Sequence, residues 1–457
     1  MSISADIFRA YDIRGIVATD LSPEAVYQIG QAFASQALAQ QQQRVVIGRD
    51  GRLSSPALAK KLAAGLMAGG CEVIDIGMVP TPVLYFATHT LETDTGIMVT
   101  GSHNPPEYNG LKMLIGGDTL HGEAIQALYT RIVNQHLHQG EGCYQQAAIL
   151  PAYCDTIVND IKLQRSLKIA VDCGNGVAGV IASELFHRLG CEVTELFCEV
   201  DGHFPNHHPD PSKPENLVDL KNAIVEHSLD IGLAFDGDGD RVGILDDKGQ
   251  ILWADRQMML YAEDVLKRKP GAQIIYDIKS TTNLGDVITR LGGEALMWKT
   301  GHSFIKAKMK QTGAELAGEM SGHIFFKERW FGFDDGLYSA ARMLEIVSQH
   351  NETTSVLFAR LPDSVNTPEL QIHFDEGEHY RFMEKFIAIA EFGTAEKITI
   401  DGIRVNYTNG WGLVRASNTT PSLVLRFEAN DADTLEQIQQ TFRKQLLAVD
   451  NTLSLPF

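Results

Sequence analysis

Three stretches of this chain repeat one pattern: a short apolar strand, a polar turn, a helix closed by glycine, and a second strand. The first copy opens with Val45-Val46-Ile47-Gly48-Arg49-Asp50, continues as a helix over about 56–68, stops at Gly69-Gly70 and resumes as a strand over 71–77. The second opens with Lys168-Ile169-Ala170-Val171-Asp172, runs as a helix to Leu189 and resumes at Cys191 after Gly190. The third opens with Gln273-Ile274-Ile275-Tyr276-Asp277, runs as a helix to Leu291 and resumes at Glu294 after Gly292-Gly293. Parallel strands need a crossover, usually a helix, so each copy reads as a strand–helix–strand unit of an α/β sheet. Ser55 and Pro56 fit a helix start, the serine as cap and the proline in the first turn.

Each copy is followed by another apolar strand that runs into an unusual polar loop. Ile97-Met98-Val99 leads into 100–105, Ile231-Gly232-Leu233-Ala234-Phe235 into 236–241, and Ala314-Glu315-Leu316-Ala317 into 318–323. Loops at the carboxyl ends of strands are where open α/β sheets bind ligands. Ser102, between Gly101 and His103-Asn104-Pro105, should sit at the tip of the first loop, because the prolines prevent an immediate helix. The pattern predicts three similar α/β domains with mixed, mostly parallel sheets, over residues 1–148, 149–250 and 251–362. Residues 363–457 read differently, as a smaller α+β domain with helices near 378–391 and 432–447 and short strands near 396–407 and 422–428.

Composition narrows the partners. A net charge of −19 opposes nucleic-acid binding, which needs a basic face, but leaves room for a local basic cluster serving a small anion. The first residues lack a basic stretch followed by a long apolar one, and no uncharged apolar run reaches membrane-spanning length. Six cysteines without CxxC or framework spacing read as reduced thiols of a cytoplasmic protein.

The loops carry the chemistry. Asp236, Asp238 and Asp240 alternate with glycines, and three such carboxylates repel one another unless a cation neutralises them. Oxygen-only ligands suit Mg2+ or Ca2+, although a Gly-rich turn between hairpin strands has the same composition. An EF-hand is excluded, because Arg241 stands where its glycine is required and Asp247 where its bidentate glutamate belongs. Arg415, Ser417, Asn418 and Thr419 offer a guanidinium, hydroxyls and an amide, a set suited to phosphate. Glu319 and Ser321 suit sugar hydroxyls, though read alone Glu319 is a surface glutamate. His302 reads as a proton shuttle, a phosphate contact or an ordinary loop histidine. The segment Phe8-Arg9-Ala10-Tyr11-Asp12-Ile13-Arg14-Gly15 is either an anion site or an edge strand with surface charges.

Together, these loops resemble the α-D-phosphohexomutase superfamily over the whole chain. Residues 8–15 are similar to its opening signature, 100–105 to its phosphoserine loop, 236–241 to its magnesium loop, 318–323 to its sugar-binding loop and 415–421 to its phosphate-binding loop. Met320 and the stretch 325–336 point to the bacterial phosphomannomutase/phosphoglucomutase branch rather than to phosphoglucosamine mutases. The resemblance implies four domains around one central cleft, with Ser102 carrying the transferred phosphoryl group. It implies that Asp236, Asp238 and Asp240, with a phosphate oxygen on Ser102, hold Mg2+, and that Arg14, His103, Lys112 and Arg241 surround the transferring group. Glu319 and Ser321 are implied at the sugar's 3- and 4-hydroxyls, Tyr11, Lys279 and His302 along the cleft, and Arg415, Ser417, Asn418 and Thr419 at the non-reacting phosphate. The implied reaction moves phosphate between C6 and C1 of mannose and glucose phosphates through hexose 1,6-bisphosphate, with glucose 1,6-bisphosphate as activator. A monomer acting on small phosphosugars is expected. The rival readings are a phosphoglucosamine mutase and a metal-dependent sugar phosphatase.

Overall fold

The computed structural model describes residues 3–375, 377–418 and 420–457. Four sheets follow one another along the chain, and the first three share one plan. Arg44–Arg49 pairs in parallel with Glu72–Met78 and with Gly96–Val99. Lys168–Asp172 pairs likewise with Glu192–Leu196 and Ile231–Phe235, and Gln273–Asp277 with Glu294–Trp298 and Leu316–Gly318. In each sheet the third of these strands then turns back antiparallel: Gly96–Val99 onto Tyr108–Ile115, Ile231–Phe235 onto Val242–Asp246, and Leu316–Gly318 onto Ile324–Phe326. The three polar loops are therefore one structural element repeated three times. In the acidic loop the Asp/Gly run is a hairpin turn that also brings three carboxylates together.

The crossover helices are Ser55–Ala68, Ala182–Arg188 after a 3₁₀ turn at Val177–Val180, and Thr282–Arg290. Ser55 does not cap its helix. Its hydroxyl donates to Asp50 Oδ1 at 2.5 Å, which turns a predicted cap into a strut for the strand end. One apolar core runs through the first three units: Val83 and Phe86 share it with Tyr153 and Ile157, and with Trp330 and Tyr338. Trp330 stacks on Tyr338 at 4.2 Å between ring centroids. Burial of such side chains stabilises by about 1.5–3 kcal/mol each, so the three units brace one another.

The fourth sheet is antiparallel and has its own core beneath the helices Glu378–Ile389 and Ala432–Val449. Its strand Gly410–Ala416 escapes the sequence reading, because Gly410 and Gly412 interrupt the apolar pattern. Packing explains Gly412: a Cβ there would lie 2.4 Å from the Phe442 ring. Arg415 consequently sits on a strand rather than in the loop that follows it. Among the described residues no helix is long and apolar enough to cross a membrane.

Candidate active site

The serine loop is built around a buried guanidinium. Asp50, at the end of the first strand, accepts from the Gly101 amide at 3.0 Å and from Arg52 Nε at 3.2 Å. Arg52 Nη2 donates to the carbonyls of Ser102 (2.8 Å) and Asn104 (2.5 Å), and Nη1 to those of Pro105 (2.5 Å) and Tyr108 (3.0 Å). A Cβ on Gly101 would strike that guanidinium at 2.4 Å, so glycine is required there. The loop is thereby clamped from behind, and Ser102 takes a positive φ of 48°. Although it stands at the loop tip, Ser102 is only 1% exposed.

Ser102 Oγ lies 3.1 Å from Asp236 Oδ2 and 3.2 Å from His103 Nδ1. Gly237 makes this approach possible, since a Cβ there would sit 2.3 Å from the Ser102 carbonyl oxygen. Asp236, Asp238 and Asp240 are fully buried, with an oxygen from each within 4.8 Å of the others. Lys112 Nζ bonds Asp238 Oδ2 at 2.7 Å and also Asp240, and Thr81 donates to Asp238 at 2.5 Å. Among the described residues Asp238 Oδ1 is buried without a hydrogen-bond partner, and Asp240 Oδ1 has only the His323 ring nitrogen, 3.3 Å away. An orphaned oxygen in an all-carboxylate set fits a hard divalent cation.

Arg241 closes the acidic loop, its amide on Asp236 Oδ1 at 3.1 Å. Its side chain lies 3.3 Å from His323 Nε2. Arg14 reaches Asp12 at 2.5 Å and Asn104 Oδ1 at 3.1 Å, so its segment is an edge strand and also part of the site.

The sugar loop folds by the same rule as the serine loop. Asp277, the strand-end residue equivalent to Asp50, accepts from the Met320 amide at 3.3 Å. Glu319 is 2% exposed rather than a surface residue; it accepts from the Gly301 amide, and its other oxygen is 3.3 Å from His323 Nδ1. Ser321 Oγ is 3.0 Å from His323 Nδ1. Tyr11 stands edge-on to His302 at 5.4 Å, and His302 stacks on His323 at 5.6 Å. Neither ring nitrogen of His302 has a hydrogen-bond partner among the described residues.

Burial and neighbouring charges sort the imidazoles. Burial lowers His103 well below the usual range, and the cations Arg241, Arg14 and Lys112 add to it. His302 is lowered likewise by burial, with Lys306 and Lys112 adding to it. Burial and Arg241 oppose the charge on His323, yet Asp240 and Glu319 outweigh them and raise it to about 9.

On the fourth sheet, Arg415 Nε donates to Asp401 at 2.9 Å. Ser417 and Asn418 follow it, with Tyr380 donating to the Ser417 carbonyl at 3.2 Å. Thr419 lies outside the described residues. Lys279 bonds Glu369 at 2.5 Å. Arg404 and Arg426 of the fourth sheet hold the backbone around Lys279, Arg404 donating to the carbonyls of Ile278 and Ser280 at 2.7 Å and Arg426 to that of Lys279 at 2.5 Å.

The structure thus gathers Ser102, His103, Lys112, Arg241 and the three aspartates around one point, with Arg14 beside them. His323 links that point to Glu319 and Ser321. Sequence reasoning did not assign His323, Arg52 or Glu369. His323 closes a loop already singled out. The aspartate ending the first strand of the first and third repeats (Asp50, Asp277) was a signal for a loop brace, and Arg52 stands two residues beyond the first of them.

Comparison with known proteins agrees with this plan. Residues 5–138, 151–249 and 253–365 match the phosphoglucomutase/phosphomannomutase alpha/beta/alpha domains I, II and III, and 370–445 match the C-terminal domain of that family. The chain belongs to the phosphoglucomutase/phosphomannomutase family, within the α-D-phosphohexomutase superfamily. It is 55% identical over 456 residues to the phosphomannomutase/phosphoglucomutase of Pseudomonas aeruginosa, covering 100% of this chain and 98% of that protein. It is 55% identical over 446 residues to the phosphoglucomutase of Neisseria gonorrhoeae, covering 97% of each. The crystal structure of a phosphoglucomutase/phosphomannomutase family protein from Burkholderia thailandensis superposes with a TM-score of 0.95 at 52% identity over 100% of both chains.

Proposed function

We propose that this protein is an isomerase, a phosphomannomutase/phosphoglucomutase that moves a phosphoryl group between C6 and C1 of mannose and glucose phosphates. One observation carries the reading: the Ser102 hydroxyl, 3.1 Å from Asp236, faces an acidic loop while Lys112 and Arg241 flank that loop. Phosphoryl transfer is mainly positioning plus charge neutralisation, and this cluster supplies both. Phosphoserine at 102 gives its phosphoryl group to a sugar hydroxyl, forming a hexose 1,6-bisphosphate, and regains one from the other end. Arg14, Lys112, Arg241 and protonated His323 meet the charge of the transferring group. Glu319 and Ser321 take the sugar's 3- and 4-hydroxyls. Glucose and mannose differ at C2, so both fit. Arg415, Ser417, Asn418 and Thr419 take the distal phosphate, while Tyr11, Lys279 and His302 line the path between.

Asp236, Asp238 and Asp240, with a phosphate oxygen on Ser102, would hold Mg2+, whose charge when bound stabilises the phosphoryl oxygens. Glucose 1,6-bisphosphate would act as activator by restoring phosphate to Ser102. We assign the units 1–148, 149–250, 251–362 and 363–457 to the serine, metal, sugar and phosphate loops, one sheet to each except that the strand Ile251–Leu252 still pairs in the second sheet, which moves that boundary beyond 252. The chain is proposed to work as a monomer in the cytoplasm, a compartment consistent with six free thiols.

The deciding experiment follows mannose, glucose and glucosamine 1-phosphates by phosphorus NMR. The expected products are mannose and glucose 6-phosphates. Inorganic phosphate as the main product would establish a phosphatase instead, and preference for the amino sugar a phosphoglucosamine mutase.

A further inference from the structure

We propose that Cys173 and Cys198 form an oxidisable thiol pair, closed by hydroperoxides into a reversible disulfide that lowers turnover. Their Sγ atoms lie 3.4 Å apart, a contact that no other two cysteines share among the described residues. The pairing follows from the sheet. Lys168–Asp172 and Glu192–Leu196 are parallel neighbours, and each cysteine stands just beyond its strand's end. Cys173 is fully buried, whereas Cys198 is half-buried and open to a small oxidant. The hydrogen bond from Cys198, together with burial, raises the Cys173 thiol well above its usual range.

The chemistry balances with the peroxide as two-electron oxidant. The Cys198 thiolate attacks the peroxide oxygen; the S–O bond forms, the O–O bond breaks, and the leaving oxygen takes a proton to depart as water or an alcohol. Cys173 sulfur then attacks the sulfenic acid. The S–S bond forms, the S–O bond breaks, and the leaving hydroxide takes the Cys173 proton to depart as water. A dithiol restores both protein thiols by thiol–disulfide exchange and is itself oxidised to a cyclic disulfide.

Closure shortens the gap from 3.4 Å to about 2 Å. Both attached segments abut the reacting loops. After Cys173, the Val177 amide donates to the Gly237 carbonyl at 3.1 Å. After Cys198, Gly202 is pressed on the backbone of Arg52 and Leu53, Phe204 lies 5.2 Å from the Arg52 guanidinium, and His208 bonds the His103 carbonyl. Gly237 in turn packs against the Ser102 carbonyl, so the movement is passed to the reacting loops. Misplacement of reacting groups by about 1 Å costs up to about a hundredfold, so a loss of about tenfold is expected.

The bond itself is independent of the proposed reaction, whereas its effect on turnover rests on that reading. The test treats the full chain with hydrogen peroxide, then titrates thiols under denaturing conditions, maps non-reduced peptides and measures glucose 1-phosphate turnover. Expected are loss of two of the six thiols, a linked 173–198 peptide, and turnover that falls and recovers with dithiothreitol. Cys198→Ser, and separately Cys198→Ala, should keep basal turnover and resist peroxide. Six intact thiols, a linkage between other cysteines, or variants as peroxide-sensitive as the parent would overturn the proposal. An untreated enzyme without mutase turnover would instead refute the proposed function and leave the peptide map to judge the pair.

Discussion

Arg52 Nη2 donates to the Ser102 carbonyl across 2.8 Å, so the residue that presents the reactive hydroxyl is held from behind by a buried cation. Arg52→Met keeps an apolar stem of similar reach and removes every donor. The carbonyls of Ser102, Asn104, Pro105 and Tyr108 would lose their guanidinium, at about 1–3 kcal/mol for each left unpaired. The expected outcome is a lower melting temperature and a fall in turnover of about tenfold or more, since about 1.4 kcal/mol is a factor of ten. A lower melting temperature with unchanged turnover would show that Ser102 does not need this clamp.

Asp238→Asn removes one charge from the acidic loop without changing its shape. Metal affinity should drop by about tenfold or more, because site charge sets the affinity of oxygen sites. Equilibrium dialysis measures this directly. Chelation of the parent enzyme should abolish turnover, Mg2+ should restore it, and Ca2+, with its longer and looser bonds, should restore less. Full activity after exhaustive chelation would dismiss the metal.

Arg415→Ala should act on the phosphate end of either sugar. Loss of a charge-assisted hydrogen bond costs about 1.5–3 kcal/mol, so kcat/KM for glucose and mannose phosphates should fall by the same factor, about tenfold to a hundredfold. Unequal losses for the two sugars would move Arg415 to the C2 side of the site.

His207 provides a test of pH dependence away from the reacting atoms. Burial lowers its pKa, but the Asp172 carboxylate at 3.0 Å, the His208 carbonyl and the charge of Asp219 outweigh burial and leave it raised. The folded protein therefore binds this proton more tightly than the unfolded chain. Its stabilisation is fully present below the unfolded pKa of about 6.5 and fades as pH rises through the higher folded value. The melting temperature of His207→Gln should lie below that of the parent at acidic pH, and the gap should narrow as the solution turns alkaline. A gap that widens with pH would reverse the assignment.

Strands, crossover helices and the order of the loops are legible in the sequence because they are encoded locally, by apolar spacing, glycine stops and turn residues. The three aspartates of 236–241 needed no neighbours to be read as a cation site, since their mutual repulsion follows from spacing alone. The strand Gly410–Ala416 was not legible, because Gly412 answers to the Phe442 ring, and Gly410 to the Glu428 carbonyl and Ile438, all distant in sequence.

What the sequence determined by itself is the inventory: four segments, each carrying one polar loop, and the residue types those loops offer. Which groups meet was decided by the tertiary structure. Ser102 is buried rather than exposed because Gly237, from the second sheet, packs against its carbonyl. Arg52 became the clamp of the serine loop, and His323 the link between Asp240 and Glu319, only when strands distant in the chain were laid side by side. The physical reason is that periodicity reports which face of an element is apolar. Charge pairing in a buried cleft depends on distances across sheets, which only the packed core fixes.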